Sequence, residues 1–186
     1  MTRELTVLGL SGSLRQGSYN TAALNAAAEL VPEGMTLITA SIRDVPLYDE
    51  DVKAAGIPAA VERLRAAVAA ADAVLIVSPE YNYSVPGVLK NALDWLSRTS
   101  PMPFARKPVA ILGASPGLLG TARAQYHLRQ ILQALNAHVL NRPEVMISNA
   151  AAKFDASGAL VDAPTREHLG KLLAALAAWT LMLRPE

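Results

Sequence analysis

The stretch Gly12-Ser13-Leu14-Arg15-Gln16-Gly17-Ser18-Tyr19-Asn20 gathers small, hydroxyl and amide residues around one arginine. It joins a short apolar run, Leu5–Leu10, to Ala-rich sequence that favours a helix. A phosphate at such a junction meets backbone N–H groups and the positive end of a helix dipole. Ser13, Ser18 and Asn20 can donate from their side chains, and Arg15 can add charge-assisted hydrogen bonds. An ordinary strand-to-helix loop with a Ser or Asn cap would carry the same letters, with Arg15 as a solvated charge. Other phosphate loops are excluded by spelling. The Gly-Lys-Ser/Thr ending of a P-loop is absent, and Gly9, Gly12 and Gly17 do not have the G-x-G-x-x-G spacing. The acidic residues that a receiver domain needs after its first strand are missing too.

A second candidate is Pro79-Glu80-Tyr81-Asn82-Tyr83-Ser84-Val85-Pro86-Gly87, after the strongest apolar run, Ala73–Ser78. Two prolines stiffen it, and tyrosines and an amide sit on a polar turn. That suits one face and edge of a flat heterocycle whose rim is read by backbone groups. A tight turn with tyrosines packed on neighbouring helices is the competing reading. A third loop, Ser115-Pro116-Gly117-Leu118-Leu119-Gly120, has glycines that permit close backbone approach. His127, His138 and His168 share no metal-site spacing, and no serine has a nearby base, so neither a metal centre nor a Ser-His-Asp arrangement is expected.

These loops need elements to hold them. Leu5–Leu10, Met35–Thr39, Ala73–Ser78, Pro108–Ala114 and His138–Leu140, joined by Val145–Ile147, read as five buried strands. Helices are expected over Asn20–Leu30 (N-cap Asn20), Ile57–Ala70, Val88–Leu96, Thr121–Leu135 (N-cap Thr121) and Thr165–Leu183. Asp44–Gly56 reads as a long loop and Asn149–Asp162 as surface turns. Leu89, Leu93 and Leu96 have core spacing; Trp95 reads as packing or a subunit contact, and Lys90 and Asp94 as a surface ion pair. Strands alternating with helices mean a parallel sheet covered on both faces. Five strands fit an α/β, flavodoxin-like three-layer sandwich of order 2-1-3-4-5, with ligands at the carboxyl ends of the strands.

The chain has 186 residues, enough for a single domain over 1–186. Its net charge of +1 argues against a dedicated nucleic-acid or anionic-membrane binder, which would carry a basic excess. The absence of cysteine removes disulfides, Cys-ligated metals, thiol nucleophiles and the low-molecular-weight tyrosine phosphatases. With no visible signal peptide or membrane-length apolar run, a cytoplasmic protein is expected.

At this point the sequence resembles a known family. The first loop looks like the phosphate loop of the NAD(P)H-dependent FMN reductases. The second, continued by Leu89-Lys90-Asn91-Ala92 and Asp94-Trp95, resembles their flavin-ring loop and the helix after it. Pro46-Leu47-Tyr48-Asp49 and Arg123–Ile131 also match, and the likeness, from about Leu5 to Glu144, is greatest to the bacterial chromate and quinone reductase branch. The resemblance implies non-covalent FMN with NADPH or NADH as co-substrate. It places the ribityl phosphate on Ser13, Arg15, Ser18 and Asn20, with Tyr19 among the cofactor-binding residues. It lays the ring against Pro79, Glu80, Tyr81 and Asn82, largely through backbone, and closes the third side with Ser115 and Gly117. One departure stands out: relatives often have Gly-Gly where this chain has Gly120-Thr121.

The resemblance further implies a ping-pong oxidoreductase. NAD(P)H gives a hydride to flavin N5, then a quinone, or chromate, an azo compound or a free flavin, takes the electrons. No catalytic side chain is expected, because the cofactor carries the chemistry. The alternatives are a flavodoxin-type electron carrier and a phosphate-metabolite binding module. The near-neutral charge disfavours the first, since flavodoxins are usually strongly acidic. A homodimer or homotetramer is implied as well, and Arg123, Tyr126 and Arg129 share one helix face that suits an interface or solvent.

Overall fold

The longest apolar runs become the interior of the sheet. In the computed structural model, which describes residues 4–184, β1 (Leu5–Ser11), β3 (Ala73–Val77) and β4 (Pro108–Ala114) are central. Every residue of β3 and β4 is buried, as parallel strands covered on both faces require. β2 (Met35–Ala40) forms one edge. On the far side β4 pairs first with β5 (His138–Val139) and then with β6 (Val145–Ile147). All pairings are parallel and the order is β2-β1-β3-β4-β5, the flavodoxin-like arrangement expected. The fifth strand is thus split into two short pieces that share one side of β4.

Alternate side chains along each strand sort between two cores. Val7, Leu75 and Leu112 meet Ala23, Leu24, Leu169 and Leu173 from α1 (Tyr19–Glu29) and α6 (Ala163–Met182). Leu8, Ile76 and Ile111 face the other way. They meet Leu64, Leu89, Leu93 and Leu128 from α3 (Ala59–Ala70), α4 (Gly87–Ser97) and α5 (Ala122–Ala134). Trp95 is fully buried and donates from Nε1 to the Pro46 carbonyl at 2.8 Å, so it packs. Lys90 and Asp94 form the expected surface pair at 2.7 Å.

Three expectations are corrected. Asp44–Gly56 is not all loop: it contains α2 (Glu50–Ala55), capped by Asp49, whose carboxylate accepts from the Asp51 N–H at 2.8 Å. None of its residues is buried, so it has no apolar stripe for the sequence to display. Asn149–Asp162 is not merely surface turns. It forms a 3-10 turn (Ala150–Ala152) and a bridge between Phe154 and Leu160, which with Ala150 enter the α1–α6 core. Finally, the cap of α1 is Ser18, not Asn20. Its Oγ accepts from the N–H groups of Asn20 at 3.2 Å and Thr21 at 3.5 Å.

Candidate functional site

The loops after β1, β3 and β4 surround the point where the strand order reverses, the ligand position of doubly wound sheets. They enclose a cleft of about 150 Å³ lined by Ser13, Arg15, Ser18, Tyr19, Asn20, Pro79, Glu80, Tyr81 and Ser115, with Ala114 and Pro116. Nine of the eleven residues singled out in the sequence therefore share one cleft; Asn82 and Gly117 lie outside its lining.

The first loop is built by local hydroxyl bonds. Ser11 Oγ accepts from the Ser13 N–H at 3.3 Å and lies 3.0 Å from Thr21 Oγ1; Ser13 Oγ accepts from the Arg15 N–H at 3.3 Å. Ser13 and Ser18 are buried, while Arg15 is exposed and able to swing over an anion. From outside, Arg43 Nη2 donates to the Leu14 carbonyl. Asn20 does not project freely into the cleft. Its amide nitrogen donates to the Ala114 carbonyl at 2.9 Å and its oxygen accepts from the Ala114 N–H at 2.8 Å, tying the first loop to the end of β4. Arg43 and this partner of Asn20 carried no sequence signal, because both bonds end on backbone atoms.

The second loop turns tightly. Tyr81 and Ser84 exchange backbone bonds of 2.9 and 3.0 Å around Asn82 and Tyr83, at φ 48° and 69°. Left-handed backbone is uncommon for an aromatic residue and needs support. The Arg123 guanidinium supplies it, 3.6 Å from the Tyr83 ring centroid. The same arginine pairs with Glu80, and that hydrogen bond raises its pKa further above the usual guanidinium value. The other Glu80 oxygen accepts from the Ala124 N–H at 3.1 Å. Glu80 thus caps α5, whose positional cap, Thr121, is left-handed at φ 73° and makes no side-chain cap bond. A third tie links His127 Nδ1 and Ser84 Oγ at 3.0 Å.

The third loop is short-tethered. The Gly117 N–H donates to Ser115 Oγ at 3.0 Å, and the Gly117 carbonyl accepts from the Asn149 N–H at 3.2 Å. Gly113, just before it, has no room for a side chain: a Cβ would sit 2.1 Å from Thr121 Oγ1 and 2.2 Å from the Ser78 carbonyl oxygen.

The donor set fits an anion at one end and a planar polar ring at the other. Glu80 is the one acidic residue in the lining, and its carboxylate is spent on Arg123 and α5. What faces a ligand is then Arg15, the hydroxyls of Ser13, Ser18 and Ser115, and the start of α1. No histidine lines the cleft: His127 bonds to Ser84, and His168 Nε2 lies 2.9 Å from the Glu144 carbonyl. Among the described residues no cluster of three His, Asp or Glu could hold a metal.

Fold and cleft together define a flavodoxin-like protein with a cleft at the strand switch point whose donors suit an anion. Comparison with known proteins makes this specific. Residues 5–152 match the family described as NADPH-dependent FMN reductase. An NAD(P)H-dependent FMN reductase of Pseudomonas aeruginosa is 58% identical over 99% of this chain and 100% of its own length. A quinone reductase of Escherichia coli K12 is 49% identical over 94% of this chain and 95% of its own. Among solved structures, the NAD(P)H:(acceptor) oxidoreductase FerB of Paracoccus denitrificans superposes with a TM-score of 0.87 at 34% identity, covering 96% of this chain and 98% of that one. An archaeal flavodoxin, at TM-score 0.64 and 12% identity, shares the fold alone. The chain belongs to the NADPH-dependent FMN reductase family: it is an oxidoreductase with FMN as cofactor and NAD(P)H as co-substrate.

Proposed function

We propose that the protein is an FMN-dependent NAD(P)H:quinone oxidoreductase working by a ping-pong cycle. The convergence of three loops on one cleft at the switch point carries this reading. FMN supplies at N5 the two-electron chemistry that NAD(P)H and a quinone each require, in alternating half-reactions. The chain's own residues position, neutralise and shield. Ser13, Ser18 and Arg15 receive the ribityl phosphate, with Tyr19 and Asn20 opening α1 beneath it. Asn20 does so as the tie to Ala114. Pro79, Glu80, Tyr81 and Asn82 present backbone groups to the ring, and Ser115 and Gly117 close the third side. Quinones are the preferred acceptors because the relatives include quinone reductases. Chromate, azo compounds and free flavins are further acceptors in this proposal.

A cytoplasmic homodimer or homotetramer belongs to the same proposal. Tyr81 and Tyr83 of the second loop, Leu118 and Leu119 of the third and Tyr126 of α5 are exposed, and a second subunit could cover them. Arg123 and Arg129 of that helix face bond within the chain, to Glu80 and to the Leu140 carbonyl. No helix among the described residues is long and apolar enough to cross a membrane.

The test is direct. Purified protein incubated with FMN and desalted should stay yellow and oxidise NAD(P)H with benzoquinone, giving parallel double-reciprocal plots. Arg15→Ala should weaken FMN binding about tenfold or more, the worth of one charge-assisted hydrogen bond. A colourless product with no NAD(P)H oxidation would overturn the proposal. Flavin that binds but is not reduced on stopped-flow mixing with NAD(P)H would leave an electron carrier instead.

A further inference from the structure

Beside the cofactor cleft, at the carboxyl ends of β1 and β2, lies a second cavity of about 420 Å³. That volume is in the range of small-ligand sites. Thirteen residues line it: two arginines, Arg15 and Arg43, seven neutral polar residues and four apolar ones, with no carboxylate. Two guanidiniums without an acidic counterpart favour an anion that accepts several hydrogen bonds, which describes a phosphate ester. Arg43 is already oriented for this. Its Nη2 donates to the Leu14 carbonyl, which holds the exposed guanidinium beside the first loop. Leu14 and Ala40, both half-buried, give the cavity an apolar side against which a base can lie.

Ser13 and Arg15 line both this cavity and the cofactor cleft. A ligand reacting in the cleft can therefore pass its tail over the first loop into the cavity. The phosphate monoester of FMN is already taken up by the first loop; of the participants that remain, only the phosphorylated nicotinamide dinucleotide has a long tail bearing a phosphate monoester. Resting on the FMN reductase reading above, we propose that this cavity is the subsite for the adenosine end of NADPH. Arg43 receives the 2′-phosphate while Arg15 stays with the flavin phosphate, and the cavity confers a preference for NADPH over NADH.

Thr39 provides the test. It lines the cavity from the exposed end of the edge strand β2 and takes no part in the cofactor cleft. An edge strand tolerates a charge there. In FMN-loaded enzyme, Thr39→Asp should raise KM for NADPH about tenfold through like-charge repulsion. KM for NADH and the Kd of FMN should stay unchanged, and Thr39→Asn should alter none of the three. Calorimetry on the wild-type holoenzyme should show adenosine 2′,5′-bisphosphate binding about tenfold tighter than 5′-AMP, one charge-assisted contact apart. This second arm decides the matter if Thr39→Asp does not fold.

An unchanged KM for NADPH in a well-loaded Thr39→Asp variant overturns the subsite, as does equal binding of the two adenosine nucleotides. Binding of inorganic phosphate without discrimination between those nucleotides reduces the cavity to an anion site unrelated to the co-substrate. A raised Kd of FMN in Thr39→Asp assigns Arg43, like Arg15, to the flavin phosphate and also overturns the subsite. Failure of the wild-type enzyme to oxidise either nucleotide condemns the functional reading rather than the subsite.

Discussion

Replacing Asn20 by aspartate changes one amino group into an oxygen and tests how the phosphate loop is held. The wild-type side chain is 3% exposed and makes two bonds to one residue, donating to the Ala114 carbonyl at 2.9 Å and accepting from its N–H at 2.8 Å. In Asn20→Asp the N–H bond survives, but an ionised carboxylate opposes the carbonyl with no proton between them. A stranded buried carbonyl costs about 1–3 kcal/mol, and burying the new charge costs more. The N-terminus of α1 returns only ~0.5 kcal/mol. A net loss of about 3 kcal/mol at neutral pH follows. Protonation restores a donor, so this carboxyl should titrate about two units above its ordinary value, near 6.

The folded state then binds a proton that the unfolded state releases between about pH 4 and pH 6, so the variant gains stability relative to wild type as pH falls. The deficit should shrink to about half by pH 5. Urea unfolding of both proteins without FMN at pH 7.5 and pH 5 measures it. A deficit that is equal at the two pH values, or larger at pH 5, would refute the tie between Asn20 and Ala114.

Two further outcomes test the scaffold. Glu80→Ala removes the cap of α5 and the charge at its N-terminus, about 1.5 kcal/mol together, which should lower Tm by roughly 3–6 °C. Glu80→Gln keeps an acceptor for the Ala124 N–H and should lose only about 1–2 °C. Equal losses in thermal melts would mean that the cap contributes nothing. Gly113→Ala places a Cβ 2.2 Å from the Ser78 backbone oxygen, which should cost 3 kcal/mol or more, an estimate of about the overpacking limit. A soluble Gly113→Ala protein melting within a few degrees of wild type would show that β4 and the Ser78 turn separate easily.

What could be read in the sequence was what local rules write. Val74, Leu75 and Ile76 are buried on both faces of a parallel sheet, so their run has no alternation and announces itself. Ser13, Ser18 and Arg15 crowd a strand-to-helix junction, where a phosphate site is expected from letters alone. The helix over Glu50–Ala55 was illegible because it buries nothing. The Phe154–Leu160 bridge was hidden because Asp155, Ser157 and Gly158 spell a surface turn between two core residues. Asn20 was read as a cap because a cap is the local use of asparagine. Its actual partner is 94 residues away, and no local pattern records such a bond.

The ties that hold the cleft open share this property. Asn20 bonds to the backbone of Ala114, Glu80 to the N–H of Ala124 and Arg43 to the carbonyl of Leu14. Each couples one loop to a distant element before any ligand arrives, so binding does not have to order the loops and less of its free energy is lost to that ordering. Because the partner is backbone, the tie itself specifies only the reaching residue, while Ala114 and Ala124 are constrained by their burial instead. Thr121 shows the opposite constraint. It stands where the family resemblance leads one to expect glycine, and it still adopts the left-handed backbone that glycine takes without strain. Burial and a 3.1 Å bond from Gln125 Nε2 to its hydroxyl hold it there. The left-handed turn is thus held here by a side-chain clamp rather than by the backbone freedom of glycine, and the cost falls on Gln125.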